Sequence, residues 1–477
     1  MSRGSLTQGI TRREIASLLA AGPVWAQSVA ERPNIILITG DHLRWNHIAV
    51  NGNPAILTPN LDRLAREGVN FTGCQTVGVA CSPNRCSMFT GRYPHAHGVI
   101  SNGIPLRETE ITITHLFRDA GYYTGQMGKL HFWPHSERNH REPHPPYAFN
   151  QMRLSDEPGC YDDAYGLWLD AQGPEVRRKA NVKMPGERGR FDYYTFEGDE
   201  RTTHAHWVAN ETVRFIDENK GRPFFVHAGF YAPHPPLNPP ASMLALYRDV
   251  KLPPRIWRED EAQHLPPVMQ KAVSVLAGTP EDTWTAYRKH FYAMVSNLDR
   301  NIGRVMEAVE RAGIAGKTVI VVTSDHGDYL GDHNMSGKSA IPYDGAMHIP
   351  LIMRGPGLPR GARSGELVEI LDIAPTLLEL GGLKPPKGNQ AMSLIPVARG
   401  GKGRDSTYQQ SLNNRILRTR EAKYAYWTNG QEVLFDLAKD PNELRNVAQS
   451  PAARPLLDQM RVKMLRRTLE VIDPLPE

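Results

Sequence analysis

Three apolar runs of strand length in this chain end almost directly in titratable residues. Ile35-Ile36-Leu37-Ile38 leads into Asp41-His42, Phe224-Phe225-Val226 leads toward His234, and Val319-Ile320-Val321-Val322 leads into Asp325-His326. Runs that are apolar at every position, rather than at alternate ones, describe strands buried on both faces. Segments of helix length lie between them. From Thr58 to Gly68 a Thr stands at the cap, Pro59 in the first turn and Gly68 at the stop, the residue types that begin and end a helix. Buried strands alternating with helices predict an α/β fold around a large, mostly parallel sheet sandwiched by helices. Such sheets bind ligands outside the carboxyl ends of their strands. The polar clusters all fall there, which a scattering of structural residues would not produce.

A second feature is Cys81-Ser82-Pro83-Asn84-Arg85, followed by Ser87-Met88-Phe89-Thr90-Gly91. Pro83 fits a first helical turn and Gly91 can stop the helix. A side chain at a helix N-terminus lies among unpaired N–H groups at the positive end of the dipole, so the expected ligand is an anion. Asp41 and Asp325, at the ends of two different strands, could share a hard divalent cation. Lys129 and His131 in Gly128-Lys129-Leu130-His131 project to one side of an extended segment. They offer a cation for that anion and a group that titrates near neutral pH.

At 477 residues the chain can build two or three domains, or one large α/β fold with an appendage. Of the net charge of +5, residues 1–26 carry +2 through Arg3, Arg12 and Arg13 against Glu14, leaving +3. So small an excess implies neither nucleic acid nor a membrane surface as partner. Thr11-Arg12-Arg13-Glu14-Ile15 precedes a modest apolar run ending Val24-Trp25-Ala26, so residues 1–26 are expected to be a twin-arginine-type signal peptide. That run is too short to span a bilayer. The expected location is periplasmic or secreted, with the twin-arginine translocase as a partner. The four cysteines, Cys74, Cys81, Cys86 and Cys160, are too few for a disulfide framework, although Cys74 with Cys86 is a conceivable pair. Residues 134–200 and 235–282, rich in Pro and poor in periodicity, are expected to form long loops walling the site.

Cys81-x-Pro83-x-Arg85 with Thr90-Gly91-Arg92 resembles the signature of the type I sulfatase family in the alkaline phosphatase superfamily. The resemblance implies that Cys81 is oxidised by a formylglycine-generating enzyme to 3-oxoalanine (formylglycine), whose hydrate is a geminal diol. It implies a divalent cation, Ca²⁺ first with Mg²⁺ or Mn²⁺ as alternatives, held by Asp41, the Cys81 position, Asp325 and His326. Many relatives carry a second acidic residue where this chain has His42, so coordination by His42 is doubtful. The resemblance also implies a catalytic domain over 27–382 and a smaller subdomain over 383–477, a short antiparallel sheet with a helix. Strand-like Tyr424-Ala425-Tyr426-Trp427 and Val433-Leu434-Phe435, and a final helix from about Ala453 to Ile472, agree with this.

The resemblance implies these roles, residue by residue. One hydroxyl of the hydrate attacks sulfur while Arg85, Lys129, Lys338 and the cation spread the charge. His234, with Lys338, protonates the departing alcohol. His131 removes the proton of the second hydroxyl, which expels sulfate; Asn102 is a weaker candidate for a substrate contact. The implied substrate is an organic sulfate ester, with carbohydrate sulfates the class expected of exported relatives. Phosphonate and phosphodiester hydrolases of the superfamily often differ at the positions of Lys129 and His131. Such a hydrolase is one alternative, and a catalytically silent, sulfatase-like glycan-binding protein is another. Tyr165, Trp168 and Trp207 could stack on a ring, though aromatic residues more often pack in the core. His95, His97 and His227 are expected to be structural.

Overall fold

The computed structural model describes residues 32–134, 144–158, 163–180 and 191–472. The predicted signal peptide and Cys160 lie outside the described residues. Ten strands precede residue 370: β1 (Asn34–Gly40), β2 (Val69–Phe71), β3 (Cys74–Gln75), β4 (Tyr123–Gly128), β5 (Gln151–Leu154), β6 (Phe224–Gly229), β7 (Thr318–Ser324), β8 (Leu351–Arg354), β9 (Ala362–Ser364) and β10 (Val368–Glu369). Eight of them form one sheet in the order β5-β4-β6-β1-β7-β8-β2-β9. The three apolar runs are its neighbouring central strands β6, β1 and β7, all parallel. β8 alone runs against its neighbours.

Alternation of side chains across each strand explains why the runs are apolar throughout. Ile35, Leu37, Phe225, Val319 and Val321 enter one core, and Ile36, Ile38, Phe224, Val226, Ile320 and Val322 enter the other. The first face is covered by the helices Cys81–Thr90, Ile113–Asp119 and Ile373–Leu380, the second by His204–Asn219 and the 31-residue Glu281–Arg311. Burying one such aliphatic side chain contributes about 1.5–3 kcal/mol.

Register then decides what meets at the end of the sheet. Gly40 pairs with Ser324, and Gly229 pairs with both Thr39 and Gly128. The residues that follow, Asp41, Asp325 and Lys129, therefore emerge side by side. β4 and β6 pinch together here: the Lys129 N–H donates to the Gly229 carbonyl at 2.7 Å, and a Cβ on Gly229 would lie 1.9 Å from the Lys129 carbonyl oxygen.

The C-terminal region holds an antiparallel sheet of β11 (Thr407–Gln410), β12 (Asn414–Arg418), β13 (Ala422–Trp427) and β14 (Glu432–Asp436), with the helix Arg454–Val471 against it. Leu417, Tyr424 and Leu434 face that helix and the first core. Ile416, Ala425, Val433 and Phe435 face Tyr329, Met335, Ile341 and Tyr343, in the segment between Asp325 and Asp344. Asp344 fixes the contact by pairing with Lys423 and with Arg418, the latter at 3.2 Å.

Some expectations change. The segments 134–200 and 235–282 contain short helices, Ala164–Gln172, Pro174–Ala180, Ala241–Ala245 and Pro267–Ser274, rather than loop alone. Thr58 does not cap its helix. The Asn60 and Leu61 N–H groups donate to the Asp299 carboxylate instead, because the long helix crosses at that point. Cys74 and Cys86 are free, buried thiols that act as small apolar side chains in the first core.

Two predictions follow from the packing. Gly229→Ala forces a methyl into the Lys129 carbonyl, so a loss of about 3 kcal/mol or more is expected in urea unfolding, at the upper end of overpacking costs. For Asp344, burial opposes ionisation, yet Arg418 and Lys423 hold the carboxyl well below its usual range. Its stabilisation is therefore complete above the unfolded value of about 3.9 and is lost as pH falls through the depressed folded value. Asp344→Asn should cost about 2–3 kcal/mol near neutral pH, less than for a fully buried pair. In thermal melts the gap to wild type should close below about pH 4; a gap independent of pH would contradict this.

Candidate active site

Arg85 reaches from the Cys81 helix to the ends of β1 and β7 and is fully buried. Its Nε donates to Asp325 Oδ2 at 2.8 Å and its Nη2 to Asp41 Oδ2 at 3.5 Å, while Nη1 donates to Thr39 Oγ1 and to the Lys129 carbonyl. Thr39 is held in turn by His227 Nε2 at 2.9 Å, whose Nδ1 donates to Gln126 Oε1 at 2.7 Å. His227 is thus the structural histidine expected. Lys129 Nζ adds a second cation on Asp41 Oδ2, at 2.7 Å.

The Oδ2 atoms of both aspartates are therefore occupied by cations, and the Oδ1 atoms face one point. Asp41 Oδ1 lies 3.8 Å from Cys81 Sγ and 3.6 Å from His326 Nε2; Asp325 Oδ1 lies 3.7 Å from the same nitrogen. His326 Nε2 is 3.1 Å from Cys81 Sγ, and its Nδ1 donates to the Gly327 carbonyl at 2.8 Å. That bond leaves the Nε2 lone pair aimed at Cys81, the tautomer a metal-binding histidine needs. Potential ligand atoms of Asp41, Cys81, Asp325 and His326 all lie within 4.8 Å of one another. Two carboxylates, one imidazole and a side chain that oxidation would convert to an oxygen donor fit a divalent cation. The carboxylates suit Ca²⁺, Mg²⁺ or Mn²⁺, and the imidazole tilts the set toward a transition ion.

The opposite wall is basic. Lys338 Nζ lies 3.0 Å from Cys81 Sγ and 2.9 Å from His42 Nε2. His234 packs its ring edge to face with His42 at 4.4 Å, and its Nδ1 donates to the Pro235 carbonyl at 2.5 Å, so the proton-exchanging nitrogen is Nε2. His131 is tied to the helix start, its carbonyl accepting from Ser82 Oγ at 2.6 Å and its N–H bonded to Asp156. Asn102 is exposed, and its Oδ1 accepts the Ser82 N–H at 3.0 Å, capping the Cys81 helix. Asn84 closes the loop before that helix, accepting from the Val77 and Gly78 N–H groups.

Charge and burial tune these groups. Burial opposes ionisation of Asp41, but Lys129, His234, Lys338 and Arg85 hold it well below the usual carboxylate range. Burial likewise opposes the charge on Lys129 and Lys338, and the neighbouring anionic groups raise both above the ordinary lysine value. Burial first, then the neighbouring His42 ring and Lys338, lowers His234 well below its ordinary value of 6.5. Burial first, then Asp41, pushes the Cys81 thiol up to about 11.

The geometry also places three further groups of residues singled out in the sequence. Arg85 directs its donors to Asp41, Asp325, Thr39 and the Lys129 carbonyl, which ties the Cys81 helix to the two aspartates. Trp207 and Tyr165 are core residues, 0% and 2% exposed, with the half-buried Trp168 stacked on Tyr165. His42 lies inside the site, between Lys338 and Asp328, a residue that no sequence signal singled out.

Comparison with known proteins adds the family. The sulfatase family profile matches residues 33–383, and a profile of the C-terminal region of N-sulphoglucosamine sulphohydrolase matches residues 331–470. An arylsulfatase of Clostridium perfringens is 30% identical over 92% of this chain and 95% of that protein. The structure of a phosphonate monoester hydrolase of Agrobacterium radiobacter superposes with a TM-score of 0.82 at 26% identity, covering 93% of this chain and 96% of that one. A structure solved in complex with its substrate D-glucosamine-2-N,6-O-disulfate superposes with a TM-score of 0.73 at 22% identity, over 93% and 99% of the two chains, a likeness of fold. The cysteine-bearing helix, the paired aspartates and the match over residues 33–383 agree: this chain belongs to the sulfatase family of sulfuric ester hydrolases, in the alkaline phosphatase superfamily.

Proposed function

We propose that the chain releases inorganic sulfate from an organic, carbohydrate-type sulfate ester, using formylglycine made from Cys81 and a divalent cation held by Asp41, Asp325, His326 and the Cys81 position. The observation that carries this reading is the convergence of His326 Nε2 at 3.1 Å and Lys338 Nζ at 3.0 Å on the Cys81 side chain, with Asp41 Oδ1 at 3.8 Å. Hydrated formylglycine would supply one oxygen to attack sulfur and a second hydroxyl whose deprotonation lets sulfate leave, and the cation would neutralise charge at the attacked centre. The protonated thiol, by contrast, is a weak nucleophile at neutral pH, which favours the oxidised form.

The remaining work falls to side chains. Lys129 and Lys338 present ammonium charge to the anionic ester, in a buried setting where such charge acts strongly. Arg85 orders the two carboxylates. His234 delivers a proton from Nε2 to the leaving oxygen; a bound anion would offset the burial that lowers its proton affinity. His131 serves as the base for sulfate release, and Asn102, as the cap of the Cys81 helix, keeps a substrate contact only through its exposed amide.

Phosphonate monoester hydrolysis is the second reading, favoured by the close superposition on the Agrobacterium enzyme. The Lys129-Leu130-His131 element weighs toward sulfate. A sugar-linked substrate is supported by the match to the sulphoglucosamine profile. Twin-arginine export remains a proposal from residues 1–26; among the described residues no helix is long and apolar enough to cross a membrane.

The expected outcome is faster turnover of 4-nitrophenyl sulfate than of a matched phenylphosphonate ester, inhibited by a chelator and restored by Ca²⁺ or Mn²⁺. Cys81→Ala should lower sulfate release by about 10³-fold or more while the melting temperature is kept, as when a covalent nucleophile is removed. Mass spectrometry of the Cys81 peptide should show the aldehyde. An intact thiol in active protein would overturn the formylglycine step, and faster phosphonate turnover would favour the second reading.

A further inference from the structure

His42 stands where many relatives place a second carboxylate, directly after the first metal aspartate, and its Nε2 is 3.8 Å from Asp41 Oδ1. Asp41, His42 and His234 even form a second group of potential ligand atoms close enough to share an ion. The hydrogen bonds around the ring point elsewhere. His42 Nδ1 lies 2.7 Å from Asp328 Oδ2, and a carboxylate can only accept, so the ring proton sits on Nδ1. Nε2 then carries the lone pair, and the Lys338 ammonium donates to it at 2.9 Å while the same Nζ donates to Cys81 Sγ at 3.0 Å. The lone pair that a cation would need is already spent on a lysine.

Asp328 holds that lysine by a second route. Its Oδ1 accepts the N–H of Leu330 and of Gly337, each at 2.9 Å, closing the loop whose next residue is Lys338. The carboxylate thus grips the lysine through the backbone at one oxygen and through the imidazole at the other. His42 has no room to turn. Its ring is wedged between His234 at 4.4 Å and His326 at 4.5 Å, both edge to face, and its backbone sits at φ 71°. A non-glycine residue in that left-handed region is strained, and the surrounding contacts must offset that strain.

We propose that His42, braced by Asp328, is a positioning residue that aims Lys338 at the Cys81 side chain, and that it is not a ligand of the cation. The proposal rests on the sulfate-release reading only for the chemistry Lys338 serves. The carboxylate beside His42 is that of Asp328, and through the imidazole it acts as an orienting force on a lysine.

Full-length His42→Ala, His42→Gln, Asp328→Asn and the double variant His42→Ala/Asp328→Asn give the test. Bound metal per chain is read by atomic emission, kcat and KM with 4-nitrophenyl sulfate, and the exposure of Lys338 by acetic anhydride labelling and mass spectrometry. Metal per chain should be unchanged throughout. In His42→Ala kcat should fall about 10²-fold, as when a catalytic group is misplaced by a fraction of an ångström. Glutamine, which can accept from Lys338 and donate to Asp328, should recover about tenfold of this, and the double variant should be no worse than His42→Ala, since both act through one unit. Lys338 labelling should speed up in His42→Ala and in Asp328→Asn. Loss of metal from His42→Ala, full kcat with metal retained, or additive effects in the double variant would each overturn the proposal. If the wild type releases no sulfate, the functional reading falls and the other two readouts still decide. Retained metal with faster labelling then upholds the positioning role, and lost metal or unchanged labelling refutes it. Should His42→Ala not fold, Asp328→Asn carries the same comparison.

Discussion

The site depends on one buried guanidinium. Arg85 joins the ends of two parallel strands to the helix that carries Cys81, through Asp325 Oδ2 at 2.8 Å and Asp41 Oδ2 at 3.5 Å. Two carboxylates side by side in a dry sheet end would repel, and each would be neutralised by burial if nothing opposed it. Arg85 and Lys129 remove that difficulty from behind, and in doing so leave the two Oδ1 atoms turned toward the Cys81 side chain. Isolating either charge would cost several kcal/mol, because an unpaired buried ion is far worse than a paired one. The same interaction therefore holds the sheet end together and presents a half-built cation site.

Charge balance around Cys81 shows a second layer of the same logic. Arg85 and Lys129 pair with Asp41 and Asp325, and Lys338 reaches the Cys81 side chain beside them, an excess of one positive charge before any cation binds. An anionic ester suits such a site, and an electrically neutral one would gain little from it. Asp328 returns the missing negative charge, but from behind His42, and burial pushes its carboxyl up to about 6. The electrostatic pull on the bound anion stays with the lysines because the compensating charge is kept at a distance.

Much of this was legible in the sequence, for an identifiable reason. Asp41, Asp325 and His326 follow continuous apolar strands, and Cys81 and Arg85 share a short motif, so local pattern alone places them at the end of a parallel sheet. Thr39, Gln126 and His227 support Arg85 through strand register, which no single segment encodes. The bonds from Arg85 to Asp41 and Asp325 are hidden for the same reason, since a sequence does not say which carboxylates lie beside a cation. The long helix Glu281–Arg311 is obscured in the sequence because Asn297, Asp299 and Asn301 interrupt its buried face. Asp299 is there to cap a different helix, at Asn60 and Leu61, a job visible only once the two cross.

The C-terminal sheet bears on the candidate site through the segment it packs upon. Lys338 lies between Asp328, which ties down Gly337, and Asp344, which pairs with Lys423 and Arg418 on β13 and β12. Tyr329, Met335, Ile341 and Tyr343 from the same stretch share a core with Ile416, Ala425, Val433 and Phe435. A long lysine side chain loses considerable rotamer freedom when held at one point, so its placement needs anchors on both sides. The first anchor comes from the catalytic sheet and the second from the antiparallel one. Loosening the C-terminal sheet would thus be felt at Lys338, which depends on both layers at once, before the carboxylates held by Arg85.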